Sequence, residues 1–546
     1  MEGSQRKRKT KWISLWRKGP RVTGGPKDID PFEFFQAEDP SDVPWGIDCL
    51  DPAEPAKDER LLRNHPLEGM KHPADGILRL SKTPPSVNLL CMKLQSRPSN
   101  SEISRRTFLR NSSAVAASFA IVPSQVFGAG DQSPNNKLNL AVIGAGGRGA
   151  DDLDELKSEN IVALCDVDWE RAAKTFERFP KASRYRDFRI MLEKEKGIDA
   201  VLVATPDHTH AIASITALKL GKHVYCEKPL TRTVAEARAV AKAAREANVA
   251  TQMGNQGMAF EGNRLINEWI WDGAIGPVRE VHVWSDRPTH RGKMPLWWAQ
   301  AVERPQDTPV PPATLDWELW LGPAPWRPYH PAYVPFRWRG WWDFGSGGLG
   351  DMGIHNLAPV FSALKLGAPE MVYASSTPVF KETVPLAAIV HYQFPARGDM
   401  PSVKVHWYDG GLLPARPDEM EEGRELDRED GVIFVGDKGK ILVTGWGGEH
   451  PRLLPESLNK DYKRPAKTLP RSIGHHKEWI EACKTGSPTR SNFDFAGPLT
   501  EAVLLGSVCV KLGGEALAWD SANMKVTNVP EANELLRSKY RDGWVL

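Results

Sequence analysis

The chain has 546 residues, 41% hydrophobic and 26% charged, enough to bury the cores of roughly two to four domains. Lys plus Arg (71) nearly balance Asp plus Glu (69), so no basic excess argues for nucleic acid or an anionic membrane, and a small-molecule ligand is the expectation. No run reaches the roughly 18 uninterrupted apolar residues of a membrane-spanning helix, and the six cysteines lack CxxC spacing, so neither a metal site nor a disulfide scaffold is expected.

Residues 1–91 hold eleven prolines, the basic run RKRKTK and no sustained helical or strand period, which reads as disorder. From Met92 the pattern changes. A basic, polar start leads to Arg105 and Arg106, then Phe108 and Leu109, then an apolar stretch at residues 114–122 that is too short to span a bilayer. Residues 92–130 resemble a twin-arginine translocation signal, with cleavage near Gly128 to Gly130; the other reading is a surface helix with two incidental arginines. The expectation is that translation starts at Met92, residues 1–91 are not translated, and the mature protein is exported to the periplasm. The cytoplasm is the alternative.

Residues 137–256 read as a doubly wound domain. An apolar strand at residues 138–143 runs into Gly144, Gly146 and Gly149 in G-x-G-x-x-G register, with Gly147 and Arg148 between them. Such a turn brings backbone N–H groups against a pyrophosphate at a helix N-terminus, where a Cβ would block the approach. The next strand, IVALCDVD, ends at Asp166, twenty residues after Gly146, where a carboxylate accepts from ribose hydroxyls and repels a 2′-phosphate; this favours NAD over NADP. A glycine turn without a nucleotide is the alternative. Strand and helix then alternate: DAVLVATPDHTH, a helix to Leu220, KHVYCEKPL, a helix from Val234 to Ala247, and VATQMGNQ. Near-continuous apolar strands between amphipathic helices describe a parallel sheet covered on both faces. Its polar strand ends bind ligands; Thr205, Pro206, His210, Glu227, Lys228 and Asn255 are the expected contacts around the nicotinamide half, with Tyr225 among the lining residues.

The glycine fingerprint, ATPDHTH, CEKPL and GGLGDMGIHNL together resemble the glucose-fructose oxidoreductase and inositol dehydrogenase family (Gfo/Idh/MocA), from about Lys137 to the C-terminus. The resemblance implies that Lys228 faces nicotinamide and substrate, that Asp351 and His355 complete the site, and that Pro229 follows a cis peptide. Read as residues, Asp351 and His355 are four apart and share one face if a helix begins there. Alcohol oxidation by hydride transfer needs a base, and imidazole suits it near neutral pH; His355 is assigned that role. Lys228 would stabilise negative charge on the substrate oxygen, and Asp351 would orient the substrate or His355. A pair on a helix surface is the alternative for an isolated D-x-x-x-H.

From 257 to 546 longer alternating strands (PVREVHVWSDRP, AAIVHYQF, VKVHWYDGG, GVIFVGDKGKILVTG) predict an α+β domain with a mostly antiparallel open sheet. The family uses such a sheet for oligomer contacts, so a homo-oligomer is expected. A late helix, about residues 497–512, and the tail YRDGWVL are expected to pack on this domain. Ten of the twenty tryptophans lie between Trp271 and Trp342. They either pack the core or stack on sugar rings, with Trp341 and Trp342 as substrate candidates just before the DxxxH segment. Arg287, after a strand, and Arg337 or Arg339 could reach a substrate.

An exported enzyme meets no free NAD pool and must hold its cofactor and regenerate it in place. Three functions follow: an NAD-dependent oxidoreductase on a sugar or polyol, a redox-neutral NAD-dependent glycosidase like glycoside hydrolase family 109, or a non-enzymatic sugar-binding protein. Lys228, Asp351 and His355 together count against the last.

Overall fold

Apolar runs punctuated by glycine and capping residues set the first half of the fold. The computed structural model describes residues 136–290, 293 and 296–546. Residues 1–91, the signal at 92–130 and the start at Met92 lie outside the described residues. In chain order the first half contains β1 (Asn139–Ile143), α1 (Arg148–Leu156), β2 (Asn160–Cys165), α2 (Ala173–Arg178), β3 (Ser183–Tyr185), α3 (Phe188–Lys194), β4 (Ala200–Val203), α4 (Asp207–Lys219), β5 (His223–Glu227), α5 (Val234–Ala247) and β6 (Thr251–Gly254). All six strands are parallel, in the order β3-β2-β1-β4-β5-β6. Every residue of β4 is buried, as a sheet with both faces covered requires. Helix α5 starts where the sequence predicts because Thr233 and Glu236 form a reciprocal capping box, and it stops at Asn248 in the left-handed conformation (φ 51°).

The second half follows with α6 (Glu261–Trp271), β7 (Val278–Ser285), α7 (Trp317–Leu321), a π-helical turn at Leu349–Gly353 continuing into α8 (Ile354–Leu364), β8 (Met371–Ser376), β9 (Ala388–Phe394), β10 (Val403–Tyr408), β11 (Asp430–Gly436), β12 (Gly439–Thr444), β13 (His450–Leu454), α9 (Glu456–Asp461), α10 (His475–Thr485), α11 (Phe493–Lys511), β14 (Leu517–Asp520) and β15 (Lys525–Val526). The nine strands run in the order β13-β12-β11-β7-β10-β9-β8-β14-β15. The sheet is mostly antiparallel, with one parallel pair, β7 with β10, at its centre. Alternation along β9, with Val390, Tyr392 and Phe394 buried and Ile389, His391 and Gln393 half-buried, leaves one face to the helical core.

The C-terminal elements pack on the second half as expected and also reach the first. The late helix begins at Phe493, and it packs on α5 and β6 of the first half as well as on β8 and β9. The tail packs on the second half, where Arg541 pairs with Glu318 and donates to Gly322 O and Pro323 O, and also on the first: Tyr540 Oη donates to Glu236 Oε1 at 2.6 Å, and Trp544 lies 6.2 Å from the Phe188 ring with the Arg189 guanidinium 4.2 Å above it. Large aromatic residues pack where partners of matching shape are free, and sequence order does not reveal that. Among the described residues α11 is long and apolar enough to cross a bilayer; most of it is buried inside the fold, as in a core helix.

Candidate active site

The carboxyl ends of β1, β2, β4, β5 and β6 carry the site. β1 runs into Gly144 (φ 87°), where a Cβ would lie 2.5 Å from the Ala204 carbonyl oxygen, and a Cβ on Gly149 would lie 2.0 Å from the Gly144 oxygen. Both positions therefore require glycine. Asp166, just past β2, stands beside this turn: Gly146 N–H donates to its Oδ2 and Asp168 N–H to its Oδ1, both at 2.9 Å. Burial pushes the Asp166 carboxyl up and these two bonds oppose it. Arg171, which the sequence reading did not single out, lies against the turn, so close that a Cβ on Gly147 would sit 2.6 Å from its Nη2.

Several residues expected to touch the cofactor also brace the loops that would hold it. Arg148 pairs with Asp152 (2.8 Å) and Glu227 (3.3 Å). Gln256 Nε2 donates to Glu227 Oε1 at 2.8 Å and to Tyr225 Oη at 3.0 Å, and the Tyr225 ring stacks on His476. The Glu227 carboxyl is pushed up by burial and by Asp152, with Arg148 and Lys228 acting in the opposite sense. His210 is buried and sets one ring nitrogen 2.7 Å from Thr205 O and the other 2.7 Å from Pro229 O. It ties the TPDHTH segment to EKPL. Tyr225, Glu227 and His210 are buried polar groups whose hydrogen bonds are made within these loops.

The Lys228–Pro229 peptide is cis, as is Arg287–Pro288. Lys228 Nζ donates to Asp351 Oδ1 at 2.6 Å, and Arg339 Nε reaches the same oxygen at 3.2 Å. Arg339 is itself held over the rings of Phe336 (3.9 Å) and Trp338 (4.3 Å). Burial works against the Asp351 charge, but Lys228, Arg339 and Arg287 outweigh it and hold the carboxyl well below its ordinary value. Asp351 is thus ion-paired with Lys228 and with Arg339. Asp351 sits in the π-helical turn and His355 in the first turn of α8. His355 is 6% exposed, its ring meets Trp446 edge-on at 5.0 Å, and its Nδ1 is buried without a hydrogen-bond partner. Burial, then Lys228, keeps the imidazole well below its ordinary pKa and so neutral. Arg287 is buried, pairs with Asp286 and lies 4.1 Å over the Trp297 ring.

Trp341 and Trp342 do not line this space. Trp341 is 0% exposed and donates to Ala332 O at 2.9 Å inside an aromatic cluster; Trp342 is 7% exposed and packs in the main core with Lys511 over its ring. Trp446, raised on a turn of glycines at 445, 447 and 448, is half-buried against His355 and Phe260, and no sequence signal pointed to it. Asp207, 3% exposed, was hidden inside the TPDHTH motif.

The residues present fit NAD. The glycine cradle leaves space a Cβ would fill, Asp166 stands at the strand end beside it, and Asn255 Nδ2 is a buried donor without a partner, its Oδ1 being taken by Ser491.

Residues 138–255 match an oxidoreductase family with an NAD-binding Rossmann fold, Gfo/Idh/MocA, and residues 284–378 match its C-terminal alpha/beta domain. Levoglucosan dehydrogenase of Pseudarthrobacter phenanthrenivorans is 31% identical over 140 residues, 25% of this chain and 35% of the relative. An inositol 2-dehydrogenase of Salmonella typhimurium is 28% identical over 151 residues, 27% of this chain and 45% of the relative. A glycosyl hydrolase family 109 protein of Stenotrophomonas maltophilia is 36% identical over 137 residues, 22% of this chain and 29% of the relative. The chain spans less than half the length of these relatives. The fingerprint glycines, the 3-2-1-4-5-6 sheet and the matched segments agree: residues 138–255 match the NAD-binding Rossmann domain of the Gfo/Idh/MocA oxidoreductase family and residues 284–378 its C-terminal domain.

Proposed function

We propose that the protein is an NAD-dependent oxidoreductase that oxidises a hydroxyl of a sugar or polyol. The observation that carries this reading is the 2.6 Å ion pair of Lys228 with Asp351 at the strand ends, whose charges act on a buried, neutral His355. NAD, when bound, supplies the hydride acceptor. The chain supplies the rest. Asp351 holds Lys228 Nζ in one place, and the ammonium stabilises the substrate oxygen as its proton leaves. His355, neutral and with Nδ1 unpartnered, takes the hydrogen bond of the hydroxyl. Aromatic side chains around Arg339 and His355 keep water away from these charges.

The test is to incubate purified protein with myo-inositol, levoglucosan and glucose, and separately with aryl glycosides. Absorbance of reduced nicotinamide is the expected result. The match to a family 109 glycosidase favours a second reading, a redox-neutral glycosidase with the same Lys228 and His355, and aglycone release from the glycosides would select it. The twin arginines at Arg105 and Arg106 support an exported protein that keeps its NAD through each turnover. Homo-oligomer contacts are proposed for the face of the nine-stranded sheet that bears the half-buried Ile389, His391 and Gln393.

A further inference from the structure

Part of the tryptophan-rich segment after β7 reaches the nucleotide end of the first half. Residues 314–322 begin at the carboxyl end of β2. Leu315 forms an antiparallel bridge with Asp168, Asp316 N–H donates to Val167 O at 2.9 Å, and Trp169 N–H donates to Thr314 O at 3.2 Å. Arg186, just past β3, clasps both segments: its Nη1 donates to Val167 O at 2.9 Å and to Thr314 O at 2.8 Å. The segment ends against α4, beyond the carboxyl end of β4. There His208 Nε2 lies 2.9 Å from Trp320 O, and a Cβ on Gly322 would lie 2.8 Å from the Thr209 methyl. In the sheet order β3-β2-β1-β4, the glycine turn after β1 stands between these two anchorages.

Each anchorage is one bond from a residue expected to touch the cofactor. Asp168 N–H donates to Asp166 Oδ1 at 2.9 Å, and Thr209 Oγ1 donates to Thr205 Oγ1 at 2.7 Å. Between them Leu315, Trp320 and Leu321 are buried in one cluster with Tyr333, Trp341 and Phe344, which holds the segment as a packed piece. From the C-terminal tail, Arg541 pairs with Glu318 and donates to Gly322 O. A dinucleotide on such a sheet lies across the strand ends, its pyrophosphate on the glycine turn and its adenosine ribose at the carboxylate that ends β2. We propose that residues 314–322 are a strap over the adenosine half of this crevice, and that NAD leaves only when the strap lifts. The aromatic cluster, Trp341 included, then serves the cofactor: its rings hold the strap in place. The run that leads into the strap, residues 303–313, is mostly exposed and carries prolines at 305, 309, 311 and 312, so the β2 end can lift without disturbing either sheet.

This inference rests on the reading that NAD is retained, and its test separates the two. Purified protein is freed of nucleotide, loaded with NADH and chased with excess NAD, and the decay of nicotinamide fluorescence gives the release rate. Backbone amide exchange is followed on loaded and empty samples. NADH should slow exchange at Trp169 and Asp316, the amides that join the strap to the end of β2. Arg186→Ala removes the bond to Thr314 O, and Arg541→Ala frees Gly322 O; each should speed NADH release by about tenfold. ADP-ribose, which has the adenosine half without nicotinamide, should leave faster by the same factor. Arg541→Ala carries the test if Arg186→Ala does not fold. Release within about twofold of wild type in both variants, or amides that exchange equally with and without NADH, overturns the strap. Retention is judged on wild type alone: release faster than one turnover overturns that reading, while the strap stands or falls on the ratio of variant to wild-type rates.

Discussion

Lys228 and Asp351, 123 residues apart in sequence, meet in a 2.6 Å hydrogen-bonded ion pair, and Arg339 adds a second cation to the same carboxylate oxygen. One carboxylate thereby fixes the position of the lysine on which the proposed chemistry turns.

Replacing Asp351 with Asn keeps the volume and leaves Lys228 largely buried and unpaired. The expected cost is about 3 kcal/mol of stability and a fall in kcat of roughly 10²- to 10⁴-fold. The Asp351 carboxyl lies below its unfolded value, so its stabilisation is present above about pH 4 and lost as pH falls through the folded value. Thermal melts should place the variant below wild type throughout the range from about pH 4 to 8; coincident melts would contradict the ion pair.

Asp166→Ala removes both the acceptor for Gly146 N–H and the expected partner of the ribose hydroxyls. NAD affinity should drop by roughly tenfold or more, and discrimination against NADP should relax. Binding titrations with both nucleotides check this, and an unchanged preference would remove Asp166 from cofactor selection.

Buried histidines set the acid limit of stability. Burial lowers His208 and His475 to about 3 and holds His355 well below its ordinary value. Their folded values lie below the unfolded 6.5, so the folded state binds fewer protons, and stability is full above about pH 6.5 and lost as pH falls below it. Each contributes at most about 1.4 kcal/mol per pH unit. His208→Asn should flatten the decline of Tm between about pH 6.5 and 4.5; a parallel decline would contradict the assignment.

Trp341→Phe should act on stability and spare the substrate. It removes the bond to Ala332 O and part of a fully buried ring, a cost of about 1 to 3 kcal/mol, with KM within about twofold of wild type. Trp446→Ala, beside His355, should raise KM several-fold instead. Steady-state kinetics on both variants decide between them.

The glycine turn and Asp166 were legible in sequence because each depends on local backbone geometry, a positive φ and a strand end, whereas the EKP segment was legible through its resemblance to a known family. The capping box at Thr233 made one helix start legible to the residue. The partners of those residues were not. Arg339 joins Lys228 at Asp351, Asp207 finds Ser346 across 139 residues, and Gln256 bridges Glu227 and Tyr225, none of which a period or spacing can display. The tryptophans misled for a related reason. An apolar ring suits a core and a sugar face equally, and only its burial separates the two uses. The parallel pairing of β7 with β10 likewise has no sequence signature, since alternation reports faces and not strand direction.

The central claim, a sugar- or polyol-oxidising site that retains NAD and works through Lys228, is tested most directly on the purified mature protein with no nucleotide added. Myo-inositol, levoglucosan and glucose are mixed with it in turn while absorbance of reduced nicotinamide is followed, and the nucleotide released on denaturation is quantified. The account predicts near one equivalent of nucleotide per chain, reduced by at least one of these substrates in wild type and by none in Lys228→Ala. A protein that purifies empty, or whose bound nucleotide is reduced equally in Lys228→Ala, would contradict it.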